Sequence, residues 1–179
     1  MRYTIYIGRQ AEKGNKSVTP ANASQHVIVA PTIKHLFNGS DVTLFAYGVT
    51  GTGKTHTMRG GKSMADRGVI PRLLSGMFRR SRKIEKDSQG ATKVDISMSY
   101  YEIYNDKIFD LFESAEKRAP SGLPLRDSGG KTVVVGLSER PCTTLKEFEL
   151  LYDQANMNRS TSATKVCAIP FPVIFIWPN

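Results

Sequence analysis

Cysteine is nearly missing from this chain. Its 179 residues hold two, Cys142 and Cys167, beside three histidines at scattered positions. Two distant cysteines form no disulfide framework and no C-x-x-C motif, which points to a reducing compartment and argues against a zinc site. Long apolar runs are missing too. The stretch "AIPFPVIFIWP" is about half the length a membrane span needs and is broken by prolines. The start, "MRYTIYIGRQ", has one early arginine and too short an apolar run for a secretory signal. No internal repeat and no heptad pattern occurs. Acidic residues are in deficit: 16 Asp and Glu stand against 25 Lys and Arg, a net charge of +9. That excess favours an acidic partner without choosing among nucleic acid, an anionic membrane surface and an acidic protein polymer. Hydrophobic residues make up 40%, an ordinary share for one core-bearing globular domain at this length.

What the chain does have is concentrated in "GVTGTGKTHTM", residues 48–58. Gly48, Gly51, Gly53, Lys54 and Thr55 fit G-x-x-x-x-G-K-[ST], a phosphate-binding loop. Glycines let the backbone take positive φ and turn several N–H groups toward one anion. The helix that follows adds unpaired donors and a partial positive charge. Lys54 supplies a cation for the β- and γ-phosphates, and the Thr55 hydroxyl a ligand for Mg²⁺. Thr50 and Thr52 suit a tight polar loop. The context fits as well: "VTLFAY" before the loop reads as a buried strand, and "KTHTM" after it as a short helix ending by Gly60.

The rest of the chain alternates helices and strands, which indicates an α/β layered domain. Residues 1–21 look polar and weakly patterned. Asn22–Gln25 resembles a helix N-cap, and Val29, Ile33, Leu36 and Phe37 follow at helical spacing, with Pro31 kinking the helix or moving its start. "RGGKSMADRG" reads as a flexible loop. Pro71 suits a first helical turn, and Leu73, Leu74, Met77 and Phe78 form one apolar stripe. The basic run "RRSRKIEK" beyond it reads as a solvated helix end. Val94, Ile96, Met98 and Tyr100 alternate with polar neighbours as in a half-buried strand. "PSGLPLRDSGG" reads as a loop and "KTVVVGL" as a short buried strand. Thr144 and Glu147 form a capping box for a helix bearing Leu145, Phe148, Leu151, Tyr152 and Ala155 on one face. The D-x-x-G spellings at Asp87–Gly90 and Asp127–Gly130 follow no solid apolar strand and read as turns. Asp110 ends an apolar run, the one other candidate for a metal-linked carboxylate.

Four ordered blocks then resemble one family. "FAYGVTGTGKTHTM" is similar to the nucleotide loop of kinesin motor domains, including Ala46, Tyr47, Thr50, Thr57 and Met58, which generic phosphate-binding loops do not share. "GVIPRLL" (68–74), "SYYEIYNDKIFDLF" (99–112) and the stretch from "LPLRD" through "VVVGLSERPC" to "NRSTSAT" resemble further blocks in the family's order. A chromosome-associated, Kid-like branch is suggested. The resemblance implies a P-loop NTPase fold with a central β-sheet and helices on both faces, incomplete here. It implies ATP and Mg²⁺ as cofactors, held by Gly48, Val49, Thr50, Gly51, Thr52, Gly53, Lys54, Thr55 and His56, with Thr55 on the metal. It also implies microtubules as the partner, with 131–140 a secondary contact, and a location on the cytoskeleton in the cytoplasm, spindle or nucleus. A membrane partner is not expected. Neither is nucleic acid, since the basic run lacks interleaved aromatics.

The departures carry expectations of their own. No R-x-R-P strand is matched in 1–21. Neither N-x-x-S-S-R-S-H nor D-L-A-G-S-E, the two switch patterns, occurs in the sequence, and the family pattern stops at Lys165. The expected organisation is therefore a weakly patterned 1–21, a partial motor domain over 22–165 and a tail over 166–179 outside the pattern. Such a chain is expected to be marginally stable, to hold nucleotide by its phosphates with little preference for the base, and to assign no catalytic residue. The alternatives are a catalytically inactive truncated fragment acting as an interaction or decoy protein, and a basic nucleic-acid-binding P-loop protein that rests on charge alone.

Overall fold

Apolar and β-branched residues from Val42 to Ala46 make strand β2 (Asp41–Tyr47), and it does not stand alone. In this computed structural model, which describes residues 2–8, 28–47, 53–61, 63, 65–158 and 172–178, β2 pairs in parallel with β1 (Arg2–Gly8), in register from Arg2 opposite Asp41 to Gly8 opposite Tyr47. Within the segment 1–21, read from sequence as polar and weakly patterned, Arg2–Gly8 is thus a strand. Tyr3, Ile5 and Ile7 recur at the strand period, a signal too short to stand out beside the polar stretch that follows. The cap expected at Asn22–Gln25 lies outside the described residues. The described chain falls into two compact units, Met1–Val94 and Asp95–Asn179.

In the first unit, helix α1 (Ala30–Phe37) carries Pro31 in its first turn. The proline therefore sets the helix start rather than kinking it, because its missing N–H would be unpaired there in any case. Gly39, at φ +75°, ends the helix in the left-handed conformation that a glycine tolerates. A short helix α2 (Lys54–Met58) follows β2, and a 19-residue helix α3 (Val69–Asp87) comes after it. The expected stripe on α3, Leu73, Leu74, Met77 and Phe78, is buried, and Val69 and Ile70 are buried with it. Each such side chain stabilises the unit by roughly 2 kcal/mol relative to exposure. Gly76 leaves room for Ile33 of α1. The basic end of α3 is exposed. Lys83 pairs with Asp87 one turn on, at 3.2 Å, and the Arg80 guanidinium lies 6.0 Å from the centre of the Phe37 ring.

The second unit centres on β3 (Val94–Tyr104). It pairs antiparallel with β4 (Lys107–Asp110) through a two-residue turn, Asn105–Asp106, both at positive φ. Asn and Asp tolerate that conformation, which matches the twist of a tight hairpin. A short β7 (Arg140–Pro141) lies against Ser97 and Met98, and β8 (Pro172–Pro178) also pairs with β3. Residues 172–178, read from sequence as part of a tail, are thus a strand of this sheet. Val94, Ile96, Met98 and Tyr100 are buried as expected, but so are Ser97 and Ser99. The strand is therefore covered on both faces over 96–100, not half-buried, and its small serines let it be.

Two further readings change. "LRDS" within the expected loop is strand β5 (Leu125–Ser128), and β6 (Lys131–Val134) pairs with it antiparallel. Gly129 and Gly130, both at positive φ, make the turn between them. "KTVVVGL" is not a buried strand: Val133 and Val135 are exposed, because β6 belongs to a two-stranded hairpin. The capping box of α4 (Leu145–Met157) is formed on one side as expected, the Glu147 N–H donating to Thr144 Oγ1 at 3.2 Å. On the other side Glu147 reaches past Thr144 and accepts from the N–H and hydroxyl of Thr143. These bonds, the hydroxyl first, lower the Glu147 pKa. Burial, and then the Glu147 charge, push the Cys142 thiol up to about 11, so it is a packing residue rather than a reactive one.

Candidate functional site

The phosphate-loop residues Gly48, Val49, Thr50, Gly51 and Thr52 lie outside the described residues, so the site is built from its two flanks. On one side β2 ends at Tyr47. On the other, Gly53 caps α2 at φ 84°, ψ 20°, the left-handed region. A β-carbon is disfavoured there, which is the physical reason for glycine just before Lys54. The chain then enters the helix directly: Thr57 N–H donates to Gly53 O at 2.8 Å. Lys54 is half-buried, and Thr55 and His56 are exposed. A cation, a hydroxyl and an imidazole thus follow a left-handed glycine at a strand-to-helix junction. That donor set fits a phosphate carrying Mg²⁺: the ammonium matches anionic oxygens, and the hydroxyl is a hard oxygen ligand.

The described residues after α2, 59–61 and 65–68, bond to one another and to α3. Gly60 and Arg67 form a β-bridge, Gly61 N–H donates to Asp66 O at 2.8 Å, and Gly68 N–H donates to Arg59 O at 2.9 Å. Arg72, on the first turn of α3, donates to Arg67 O at 2.7 Å and Ala65 O at 2.9 Å. His56 Nε2 lies 3.0 Å from Asp66 Oδ1. Sequence reasoning missed Asp66 and Arg72. The two bond across five to ten residues of loop, and no local pattern marks such contacts.

The other carboxylate weighed from sequence has a structural task. Asp110 is buried, and its two oxygens accept from the N–H groups of Phe112 and Ser138, each at 2.8 Å. Both lone-pair faces serve the backbone, which explains an aspartate at the end of "KIFD" without a metal. Asp127 accepts from the Thr132 hydroxyl across its hairpin at 3.0 Å, and Asp87 lies at the end of α3. Among the described residues no cluster of His, Cys, Asp and Glu could hold a metal, and no helix is long and apolar enough to cross a membrane. In the 131–140 segment, the strand β6 is followed by exposed residues, and Arg140 lies over Phe112 at 5.9 Å.

A second polar cluster was not legible at all. Glu102, buried on β3, faces Arg118 at 3.6 Å. The same guanidinium donates to Glu113 O at 3.0 Å and to Asn158 O, beyond α4, at 2.6 Å. The Asn158 side chain donates to Leu111 O at 3.1 Å, and Tyr100 donates to Asn156 at 3.1 Å. Asn158 opens the "NRSTSAT" block, and its side chain and carbonyl tie the end of α4 to the β3–β4 hairpin.

Comparison with known proteins gives the family. The family model for the kinesin motor domain matches residues 12–168. The kinesin-like protein KIF22 of Danio rerio is 37% identical over 139 residues, covering 77% of this chain and 21% of its own length. The mouse (Mus musculus) KIF22 is 38% identical over 140 residues, with 77% of this chain and 20% of the relative covered. Human (Homo sapiens) KIF13B is 40% identical over 136 residues, covering 75% of this chain and 7% of the relative. The solved structure of a fast kinesin superposes with a TM-score of 0.70 at 29% identity, covering 86% of this chain and 43% of that one. The chain therefore spans about a fifth of the length of the KIF22 relatives.

Proposed function

The chain belongs to the kinesin motor domain family, with the P-loop NTPase fold of that family, and we propose that residues 48–56 hold Mg²⁺-ATP or Mg²⁺-ADP. The observation that carries this reading is the left-handed Gly53 delivering the chain from β2 into a helix that opens with Lys54 and Thr55. In this reading the amides of Gly48, Val49, Thr50, Gly51, Thr52 and Gly53 surround the phosphates. Lys54 meets the β/γ charge, Thr55 ligates Mg²⁺, and His56 adds a contact from the first turn. The bound metal neutralises phosphate charge; the residues named here bind and orient. A Mg-ATP titration tests it: Thr55→Asn should remove most of the Mg²⁺ dependence while leaving residual nucleotide binding. Equal Mg²⁺ dependence in both proteins would refute the assignment of Thr55.

Microtubules are the proposed partner, and the microtubule cytoskeleton, in cytoplasm or spindle, the proposed location. The charge of +9 supports attraction to an acidic polymer. Cosedimentation of this polypeptide should be weak, independent of nucleotide and lost at moderate salt. The second reading, a nucleotide-holding fragment without rapid turnover, is favoured by one observation: neither switch pattern occurs in the 179 residues. Phosphoryl transfer needs groups that position water against the γ-phosphate. A phosphate-release assay separates the two readings, since robust stimulation by microtubules would overturn the second.

A further inference from the structure

We infer that the outer face of α3 is a docking surface for an acidic polypeptide helix, an interaction separate from the nucleotide site. Arg79, Arg82, Lys83 and Lys86 stand at i, i+3, i+4 and i+7, and all four are exposed. At 3.6 residues per turn they share about 100° of the helix circumference and about 10 Å of its length. The buried stripe from Leu73 to Phe78 lies on the opposite side. The Ser81 hydroxyl, donating to Val94 O at 3.1 Å, ties that inner side down beneath the patch. Asp87, at the edge of the face, meets Lys83 at 3.2 Å, where both are well exposed. Among the described residues no carboxylate pairs with Arg79, Arg82 or Lys86.

Stability of the helix does not account for this face. A cation near a helix C-terminus is favoured by the dipole, but the effect fades within the last turn. It covers Lys86, and not Arg79 and Arg82, which stand further back from the end at Asp87. Like charges at i, i+3 and i, i+4 repel. Arg79 with Arg82 and Lys83, and Lys86 with the same two, therefore weaken the helix that carries them. A partner of opposite charge offsets that repulsion, and the spacing selects its chemistry. Residues four apart on a helix rise about 6 Å, so a second helix with Glu at i, i+3, i+4 and i+7 repeats the same lattice in carboxylates. Arginine forks suit such carboxylates at two points each. A nucleic-acid duplex is the poorer match. The inner side of α3 is packed on its own unit, so the helix cannot enter a groove, and so short a strip reaches only a few phosphates.

The test uses the full chain and, as the probe, a fluorescent peptide of about four helical turns with Glu at those positions, titrated in low salt. Wild type should bind it, and binding should fade as salt brings the screening length below about 10 Å. Arg79→Glu should weaken binding about two- to tenfold, and Arg79→Gln by less. The Tm of Arg79→Glu should stay equal or rise, since the reversal turns two repulsions into attractions with the acid ahead of the base. Lys117→Glu makes the same change of net charge at an exposed position in the other unit and should keep most of the affinity. Equal losses in Arg79→Glu and Lys117→Glu would overturn the inference, because net charge alone would then carry the binding. Duplex DNA or anionic vesicles binding more tightly than the peptide, with the same dependence on Arg79, would overturn it as well. So would an equally charged peptide that binds as well with its Glu residues spread round the helix. Loss of microtubule cosedimentation in Arg79→Glu, with peptide binding unchanged, would also contradict it and assign the patch to the polymer.

Discussion

Among the described residues, the buried side chains up to Val94 are apolar apart from Thr32; from Asp95 onward they include Ser97, Ser99, Glu102 and Asp110. The Thr32 hydroxyl has no hydrogen-bond partner among the described residues. Glu102 faces Arg118, Asp110 accepts two backbone bonds, and Ser97 donates to Glu139. The first unit is thus held by an apolar stripe and by glycines that let backbones approach. The second is stitched by polar pairs whose members lie far apart in sequence. An apolar core weakens in proportion to the volume removed. A buried polar network fails abruptly when one partner leaves, because the other stays behind without water.

The largest effect should follow from Arg118→Ala. It leaves the Glu102 carboxylate buried and unpaired and frees the end of α4, at a cost of about 3–5 kcal/mol. Urea unfolding monitored by circular dichroism should show the lost stability, and replacing Glu102 by Gln in the same chain should recover part of it. In the first unit Leu74→Ala should cost about 3 kcal/mol by opening a cavity beneath α3. A loss well under 1 kcal/mol, measured the same way, would mean that the stripe collapses readily and that the contrast between the units is overstated.

Smaller effects sharpen the comparison. Thr144→Ala should lower stability by about 1 kcal/mol through the lost cap of α4. The pH dependence of that cap has a definite sign. The Glu147 pKa is lowered in the folded chain, so its contribution is present above the ordinary carboxylate pKa and is lost as pH falls through the lower folded value. Acid titration of wild type against Glu147→Gln should show this difference closing only at acidic pH. Smallest of all, and opposite in sign, Thr32→Val should raise stability by about 0.5–1 kcal/mol, since a methyl replaces a hydroxyl with no partner. A loss on that substitution, read from a thermal melt, would reveal a hydrogen bond to Thr32 and weaken the claim that the first unit is an apolar construction.

The same contrast explains what could be read in advance. Gly53, Lys54 and Thr55 are neighbours, the stripe from Leu73 to Phe78 repeats every three to four residues, and Thr144 with Glu147 spans one turn. Local physics writes such features into adjacent positions. Strand β1 was missed because its alternation of Tyr3, Ile5 and Ile7 covers only seven residues. The β5–β6 hairpin was misread because both strands are exposed, so no apolar face marks them. Arg118 bonds Asn158 across forty residues, and His56 meets Asp66 across ten. Nothing in the intervening chain announces either pair. The family resemblance identified the fold, but it was silent on these polar contacts.

The central claim is that the left-handed Gly53 and the helix start behind it exist to hold a phosphate with Lys54. Calorimetric titration of Mg-ADP into the wild-type chain and into Lys54→Ala tests it most directly. The account predicts weak but measurable binding to the wild type and a loss of about tenfold or more on removing the cation. Equal affinity in the two proteins would contradict it.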